Sequence, residues 1–460
     1  MAKQPTSIEI RSYQVGFGDC FLLSFVYGKK DTRHVLIDFG TTGLPNNGKP
    51  SDHMKRVADE IAKVVGTGNR LTAVVATHRH ADHISGFATD GKTGQSGVVI
   101  RNLKPKLVLQ PWTEDPAAAK NAQRATGAAP ASRRGGKSLV SALASMNDLA
   151  ARVQRLAGSK PAWMSVAMQR ELSFLGAENI ANRSAIDNLI AMGTADGAKA
   201  RYLRHGDKSG LEALLPGVKV HVLGPPDLTQ TKTITKQKSS DPNEFWQLVA
   251  NAVPAVTSLD AGLQGDQGGT VGRGRNGGRG RLGGGNGRSG ATSAAATVPP
   301  DARWFCDKLQ ALSGQSMLEI VRQLDQQMNN TSLILLFEVG GKKLLFPGDA
   351  QIENWSYALL HAPDAKGTQK LLEDVDFYKV GHHGSRNATP RKLLWERFRK
   401  RKGRQLKTMI STMPGKHGSK KSKTEVPRQT LLKALETESQ LLSTEDLQKD
   451  TLANLEVIPL

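Results

Sequence analysis

Cysteine is almost missing from this chain: Cys20 and Cys306 are the only two in 460 residues. Two thiols build no disulfide framework, and their scarcity fits a reducing cytosol. Long apolar runs are missing as well, none approaching the ~20 residues that a membrane span needs. The opening Met1-Ala2-Lys3-Gln4-Pro5-Thr6 lacks the apolar core of a secretion signal. These absences predict a cytoplasmic protein with no membrane partner. Apolar residues reach only 38% and aromatic ones 5%, which is low for a compact globule. Low-complexity stretches account for part of that deficit. Acidic side chains are scarce too, 42 against 63 basic, leaving a formal charge of +21. Such an excess favours polyanions and speeds their encounter, so an anionic substrate is expected, DNA or RNA among the candidates.

Against this background one segment is dense in metal-binding side chains. Thr77-His78-Arg79-His80-Ala81-Asp82-His83 places three imidazoles and a carboxylate together, directly after the apolar stretch 71–76. Three of the chain's 11 histidines fall there, so a loop that is histidine-rich by chance is a poor account. A buried strand ending in such a cluster delivers several ligands to one sheet edge with the rigidity metal geometry demands. Imidazole with carboxylate suits zinc, manganese or iron, and the lack of nearby cysteine argues against a closed structural zinc site.

Other segments fall in order around it. Gln14-Val15-Gly16-Phe17-Gly18-Asp19-Cys20 precedes the apolar run 21–25, where Cys20 reads as a small core residue. Val35-Leu36-Ile37-Asp38-Phe39-Gly40 is a short apolar strand ending in an acid. Residues 330–336 and 344–349 read as two strands, the second ending in Gly348-Asp349. Residues 376–380 lead into Gly381-His382-His383-Gly384-Ser385, and 409–412 reads as a last strand before Gly415-Lys416-His417-Gly418. Asp38 or Gly348-Asp349 alone would be ordinary turn material.

Taken together, these motifs resemble the metallo-β-lactamase superfamily, in its order, over roughly 7–110 and 325–440. The Val-Gly-x-Gly-Asp and Gly-His-His-Gly-Ser elements resemble the hydrolase domain of ComEC/Rec2-type DNA-uptake proteins. The resemblance implies an α/β fold, an αββα sandwich with helical and Gly/Arg-rich insertions. It also implies two divalent metal ions, Zn2+ first and Mn2+ second. His78 and His80 would hold one, Asp82 and His83 the other, with Asp349 bridging and one of His382 and His383 completing a shell. Asp38 would brace the histidine loop by fixing imidazole orientation. Asp82, His383 and His417 would serve catalysis, and Ser385, Arg386 and Lys416 would bind substrate. In an extended segment only one of His382 and His383 can face a given site. His34, His53, His205, His221 and His361 read as non-ligands, with His221 a half-exposed residue of a strand at 218–223. Many family members carry a further metal-binding histidine between the first cluster and the bridging acid. Here that interval holds only His205 and His221, so the second ion is expected to be weakly held.

The motif span predicts one hydrolase domain interrupted by insertions. Residues 1–114 form its N-terminal half, 115–203 a helical insertion, 204–262 a continuation and 291–460 the C-terminal half. Between them, 263–290 holds 13 glycines and five arginines. That composition buries nothing against a large ordering entropy and reads as a flexible basic loop. It is flanked by helical segments near 243–252 and 301–328. Ala-rich 142–156 has helical spacing. Gly135-Gly136-Lys137-Ser138 echoes a phosphate loop, but Ala131 stands where the first glycine is required, which excludes a nucleotide site there. A helix at 428–436 after Pro427 would pack behind the last strand. Between 391 and 424 lie 13 Lys or Arg and one acid, Glu396. A basic run is ordinarily a solvated face, yet its place between His383 and His417 favours a guide for a polyanion.

Three functions compete. With two divalent ions about 3.5–4 Å apart, a shared water loses a proton near neutral pH and becomes a nucleophile. Hydrolysis of phosphodiesters in nucleic acid or nucleotides stands first, because charge and motifs agree. Hydrolysis of a small ester, thioester, lactone or lactam stands second, since it gives the basic surface no purpose. A metal-stabilised interaction module without turnover stands third, because a pure binder has no need of an open metal site. Fold alone does not choose among chemistries.

Overall fold

The computed structural model describes residues 3–45, 52–90, 94–118, 159, 165–166, 169, 182–231, 328–385, 388–400, 405–416, 425–448 and 451–460. The Ala-rich stretch 142–156, Gly135–Ser138, the segments 243–252 and 263–290, nearly all of 301–328, and Arg386, Arg401, Lys402 and His417 lie outside them.

Among the described residues, thirteen strands form two sheets. The first contains β1 (Ser7–Tyr13), β2 (Cys20–Gly28), β3 (Asp31–Phe39), β4 (Ala73–Val75), β5 (Leu107–Pro111), β6 (Lys199–Leu203) and β13 (Ala453–Pro459), in the order β13-β1-β2-β3-β4-β5-β6. The second contains β7 (Val218–Gly224), β8 (Ile334–Val339), β9 (Lys342–Phe346), β10 (Phe377–Lys379), β11 (Lys407–Ile410) and β12 (Gln440–Ser443), in the order β12-β11-β10-β9-β8-β7.

Period-two alternation decides what each face buries. Val35 and Ile37 of β3 point between the sheets, where they meet Phe337, Phe346 and Met409. Leu36 points outward, beneath Val57 and Ile61 of helix α1 (His53–Val65) and Leu189 of the helix Arg183–Thr194. On the other sheet Leu336, Leu345 and Tyr378 turn outward under Trp355, Leu372 and Leu435. Helix, sheet, sheet, helix is the αββα arrangement expected from the sequence. Among the described residues, no helix is long and apolar enough to cross a membrane.

Three local expectations need correction. The strand read at 330–336 starts later, at Ile334, because Leu333 is tied across to the Thr77 carbonyl instead of to a neighbouring strand. The strand at 409–412 is not the last, since β12 and β13 follow. β13 returns to the first sheet and pairs antiparallel with β1, Ser7 opposite Pro459 and Tyr13 opposite Ala453. Its burial is light, with Leu455 and Val457 exposed, so it lacks the apolar alternation that marks a strand in sequence. The helix after Pro427 runs Gln429–Glu438 and buries Leu435 against the second sheet. β6 and the helix before it both come from within 115–203.

β3 and β4 are parallel, and so are β9, β10 and β11. The carboxyl ends of both sets open at one edge of the sandwich. Ligands to open α/β sheets gather at such ends.

Candidate metal centre

Asp38 closes β3 with φ of +56°, a left-handed conformation that Asp tolerates better than most side chains. The turn aims its carboxylate at the next strand's loop. Oδ1 accepts the Thr77 backbone N–H at 2.7 Å, and Oδ2 accepts the Thr77 hydroxyl and His83 Nδ1, each at 2.7 Å. His83 is thereby oriented with Nε2 facing away from Asp38, 3.1 Å from Asp349 Oδ1. Asp349 follows β9, and His382 and His383 follow β10. His383 reaches back to the first cluster, its Nε2 2.9 Å from Asp82 Oδ2, while its Nδ1 lies 2.8 Å from the Ser411 carbonyl. One ligand atom from each of Asp82, His83, Asp349 and His383 lies within 4.8 Å of every other, and all four residues are buried. His78 and His80 adjoin this group. Their rings are 4.6 Å apart, His78 Nε2 is 2.9 Å from His80 Nδ1, and the His78 ring is 4.2 Å from that of His83.

The expectation that only one of His382 and His383 faces the site is corrected. Both have positive φ, +46° and +52°, so the segment is a left-handed turn and not an extended strand. Face alternation does not apply to such a turn. His382 stands 3.8 Å from Asp349 Oδ2, and its ring is held at Nδ1 by the Ser385 hydroxyl at 3.0 Å. It is 29% exposed, whereas His383 is fully buried. Lys416 reaches toward Gly43, whose carbonyl accepts the Phe17 N–H; the Phe17 ring lies 4.2 Å from His383.

Close packing holds the opening loop under this group. A side chain on Gly18 would meet the Gly40 carbonyl at 2.2 Å, and one on Gly40 would meet the Ala81 carbonyl at 2.4 Å. Only glycine permits that approach. It lets Asp19 N–H bond the Asp82 carbonyl at 2.8 Å.

Charge in the cluster is strongly perturbed. Burial pushes His80 down to about 4 and His78 well below the usual imidazole value, so both are neutral and offer lone pairs. Burial opposes the charged form of His83 too, but Asp349, Asp38, Asp82 and Asp19 outweigh it and raise its pKa. Asp82 and Asp349 are held below the carboxylate range although burial opposes this, chiefly because His83 stands beside both. Asp82 Oδ1, Asp349 Oδ2 and His83 Nε2 are buried without a hydrogen-bond partner among the described residues. Buried carboxylate oxygens without donors cost several kcal/mol. A divalent cation is the partner that removes that cost, so the donor set fits one.

Two residues to which the sequence reading gave no role belong here. Lys379 of β10, 2% exposed, forms an ion pair with Asp19, 1% exposed. A lone cation inside the apolar stretch Phe377–Val380 was the available signal. Arg79 also makes a forked ion pair with buried Glu114, which ties the histidine loop to the end of β5.

Residues 14–128 match the family model of the metallo-beta-lactamase superfamily. No curated protein matches the chain. The superfamily match holds Asp19, Asp38 and the whole His78–His83 cluster, whereas Asp349, His382 and His383 come from beyond it and are delivered by the second sheet. The remaining histidines sit elsewhere. His34 bonds Ser24, His53 bonds the Gln14 carbonyl, and His205 and His221 pair with Asp364 and Glu338. Cys20 is buried in the core.

The basic run is less available than its sequence suggests. Arg391 pairs with Glu396 and Arg399 with Glu373, while Lys400 bonds Glu438 at 2.9 Å and lies over the Trp395 ring. Another basic surface, a depression of about 950 Å³ lined by Arg11, Lys29, Lys30, Arg33, Arg70 and Lys106, is far from this chemistry. It lies at the amino ends of β3 and β5, the opposite edge from Asp38 and His83, so it is not the cleft of the candidate centre.

Proposed function

We propose that this chain is a metal-dependent hydrolase of phosphodiester bonds, in nucleic acid or in nucleotides. The observation that carries the reading is the convergence of Asp82, His83, Asp349 and His383, from both sheets, with Asp82 Oδ1 and Asp349 Oδ2 lacking a donor among the described residues. Asp82, His83 and His383 would hold one divalent ion and His78 with His80 a second, Asp349 lying between. Zn2+ or Mn2+ suits these nitrogen and oxygen donors. Bound there, such ions acidify water and offset charge on a leaving oxygen.

The chain's own residues supply the rest. Asp38 keeps His83 with Nε2 toward the centre, and the Ser411 carbonyl does the same for His383. His382 is the imidazole that an incoming substrate meets, because it is partly exposed and Ser385 holds its Nδ1. In this reading His382 Nε2 exchanges a proton with the leaving group, and Lys416, Arg386 and His417 bind the phosphate. The net charge of +21 supports an anionic substrate, as do the elements similar to ComEC/Rec2-type hydrolase domains.

Metal analysis of the purified protein tests the first half of the proposal. A Zn2+- or Mn2+-supplemented screen on bis-p-nitrophenyl phosphate, DNA, RNA and nitrocefin tests the second. Turnover of the phosphodiesters but not of nitrocefin is expected. Nitrocefin or ester turnover with the phosphodiesters untouched would move the chain to the other hydrolase class.

A further inference from the structure

Lys379 raises a physical question: why a lysine ammonium is buried beside carboxylates that are to bind a cation. Its Nζ pairs with Asp19, lies 3.5 Å from the Gly348 carbonyl and stands 3.7 Å from Asp349 Oδ1. Inside a protein, 3.7 Å is a separation that opposite charges close unless something holds them apart. Asp19 is that holder. Its backbone is pinned on both sides, N–H to the Asp82 carbonyl at 2.8 Å and carbonyl to the Gly40 N–H at 3.0 Å.

Asp19 also stands behind the imidazoles. It lies 3.6 Å from His83 Nδ1 and 3.8 Å from His383 Nδ1, the nitrogens already turned to Asp38 and the Ser411 carbonyl. The Nε2 atoms, which face Asp349 and Asp82, are on the other side of each ring. Asp349 Oδ1 stands between the two sides, taking the His382 backbone N–H at 3.1 Å and lying 3.1 Å from His83 Nε2 and 3.7 Å from Lys379, while Oδ2 has no donor among the described residues.

We infer that Asp19 is a positioning residue that parks the Lys379 ammonium behind the centre, so that Asp349 keeps an oxygen for a divalent cation. The inference rests on the metal-centre reading above. Without the Asp19 charge, the ammonium moves the remaining distance to Asp349, takes its carboxylate and repels the incoming ion. The competing view is that Asp19 is itself a ligand, since it also lies within 4.8 Å of Asp38 and His83.

The two views part in a double variant. Affinity for Zn2+ and for Mn2+ is measured by competition with a chromogenic chelator on the full chain, with circular dichroism to follow the fold. Asp19→Asn should weaken binding by about tenfold or more. Adding Lys379→Met, which removes the freed ammonium, should bring affinity back to within about threefold of wild type. A double variant as weak as Asp19→Asn would overturn parking in favour of direct ligation, and unchanged affinity in Asp19→Asn would overturn it as well. If Asp19→Asn fails to fold, the double variant, which buries neither charge, is compared directly with wild type. Retained affinity supports parking and lost affinity overturns it. Wild-type protein that binds neither ion would overturn the metal centre itself, a result distinct from binding without rescue.

Discussion

Asp38→Asn is the most informative single change outside the metal-facing atoms. The carboxylate accepts three hydrogen bonds, from Thr77 N–H, Thr77 Oγ1 and His83 Nδ1, each at 2.7 Å. An amide has one accepting atom, so neither of its orientations satisfies this set. If the amide nitrogen turns to Thr77 N–H, two buried donors face each other. If it turns to His83, Nδ1 must become the acceptor and the ring proton moves to Nε2. That atom is 3.1 Å from Asp349 Oδ1 and faces the centre, so the lone pair for a cation is lost. A charge-assisted hydrogen bond is worth about 1.5–3 kcal/mol, which corresponds to a loss of roughly 10–100-fold in metal affinity. The backbone is spared because asparagine also tolerates the positive φ at this position. Chelator competition reads the affinity, and denaturant midpoints of metal-free protein read the fold. A wild-type affinity in Asp38→Asn would refute the argument that Asp38 sets the His83 tautomer.

Other outcomes follow from the same geometry. Asp82→Ala should abolish phosphodiester turnover while circular dichroism stays that of wild type, because the two sheets build the core without this side chain. Chelation should likewise leave the protein folded, and unfolding on metal removal would mark a structural metal and sink the enzyme reading. His34 is pushed down to about 4 by burial, with Arg11 adding to it, so the unfolded chain binds a proton below pH 6.5 that the folded chain refuses. Stability from His34 is therefore whole above 6.5 and falls as pH drops toward 4, by up to about 3 kcal/mol. His34→Gln should flatten that decline in urea midpoints taken at about pH 7 and about pH 4.5. Lys400→Glu sets a like charge against Glu438 and empties the Trp395 face, so it should cost on the order of 1–2 kcal/mol. Polyanion affinity should hold, whereas a selective loss of affinity at unchanged stability would restore Lys400 as a guide.

Local pattern alone determined a good deal of this protein. The apolar stretch before His78, the acid at the end of 35–38 and the Gly-Asp at 348–349 each mark a strand end, and short-range periodicity is what a sequence displays. The αββα layering was implied by the resemblance of those motifs, in their order, to the metallo-β-lactamase superfamily, and not by periodicity itself. His78, His80, Asp82 and His83 were legible because they fall within one short run, whereas Asp349 and His383 came into view only through the family resemblance.

What tertiary structure alone decided concerns pairs distant in sequence. Asp82 and His383 are 301 residues apart yet meet at 2.9 Å, since the parallel strands of both sheets end at one edge. Asp19 and Lys379 meet by the same geometry, and no local pattern relates a loop after β1 to a strand of the other sheet. The turn that aims both His382 and His383 inward depends on positive φ, which residue type alone does not announce. Charge followed the same rule. The run at 391–400 reads as free positive charge, but folding sets Glu373, Glu396 and Glu438 beside it. A side chain's type is written in the sequence, whereas its partners exist only once the sheets have brought distant segments within a few ångströms.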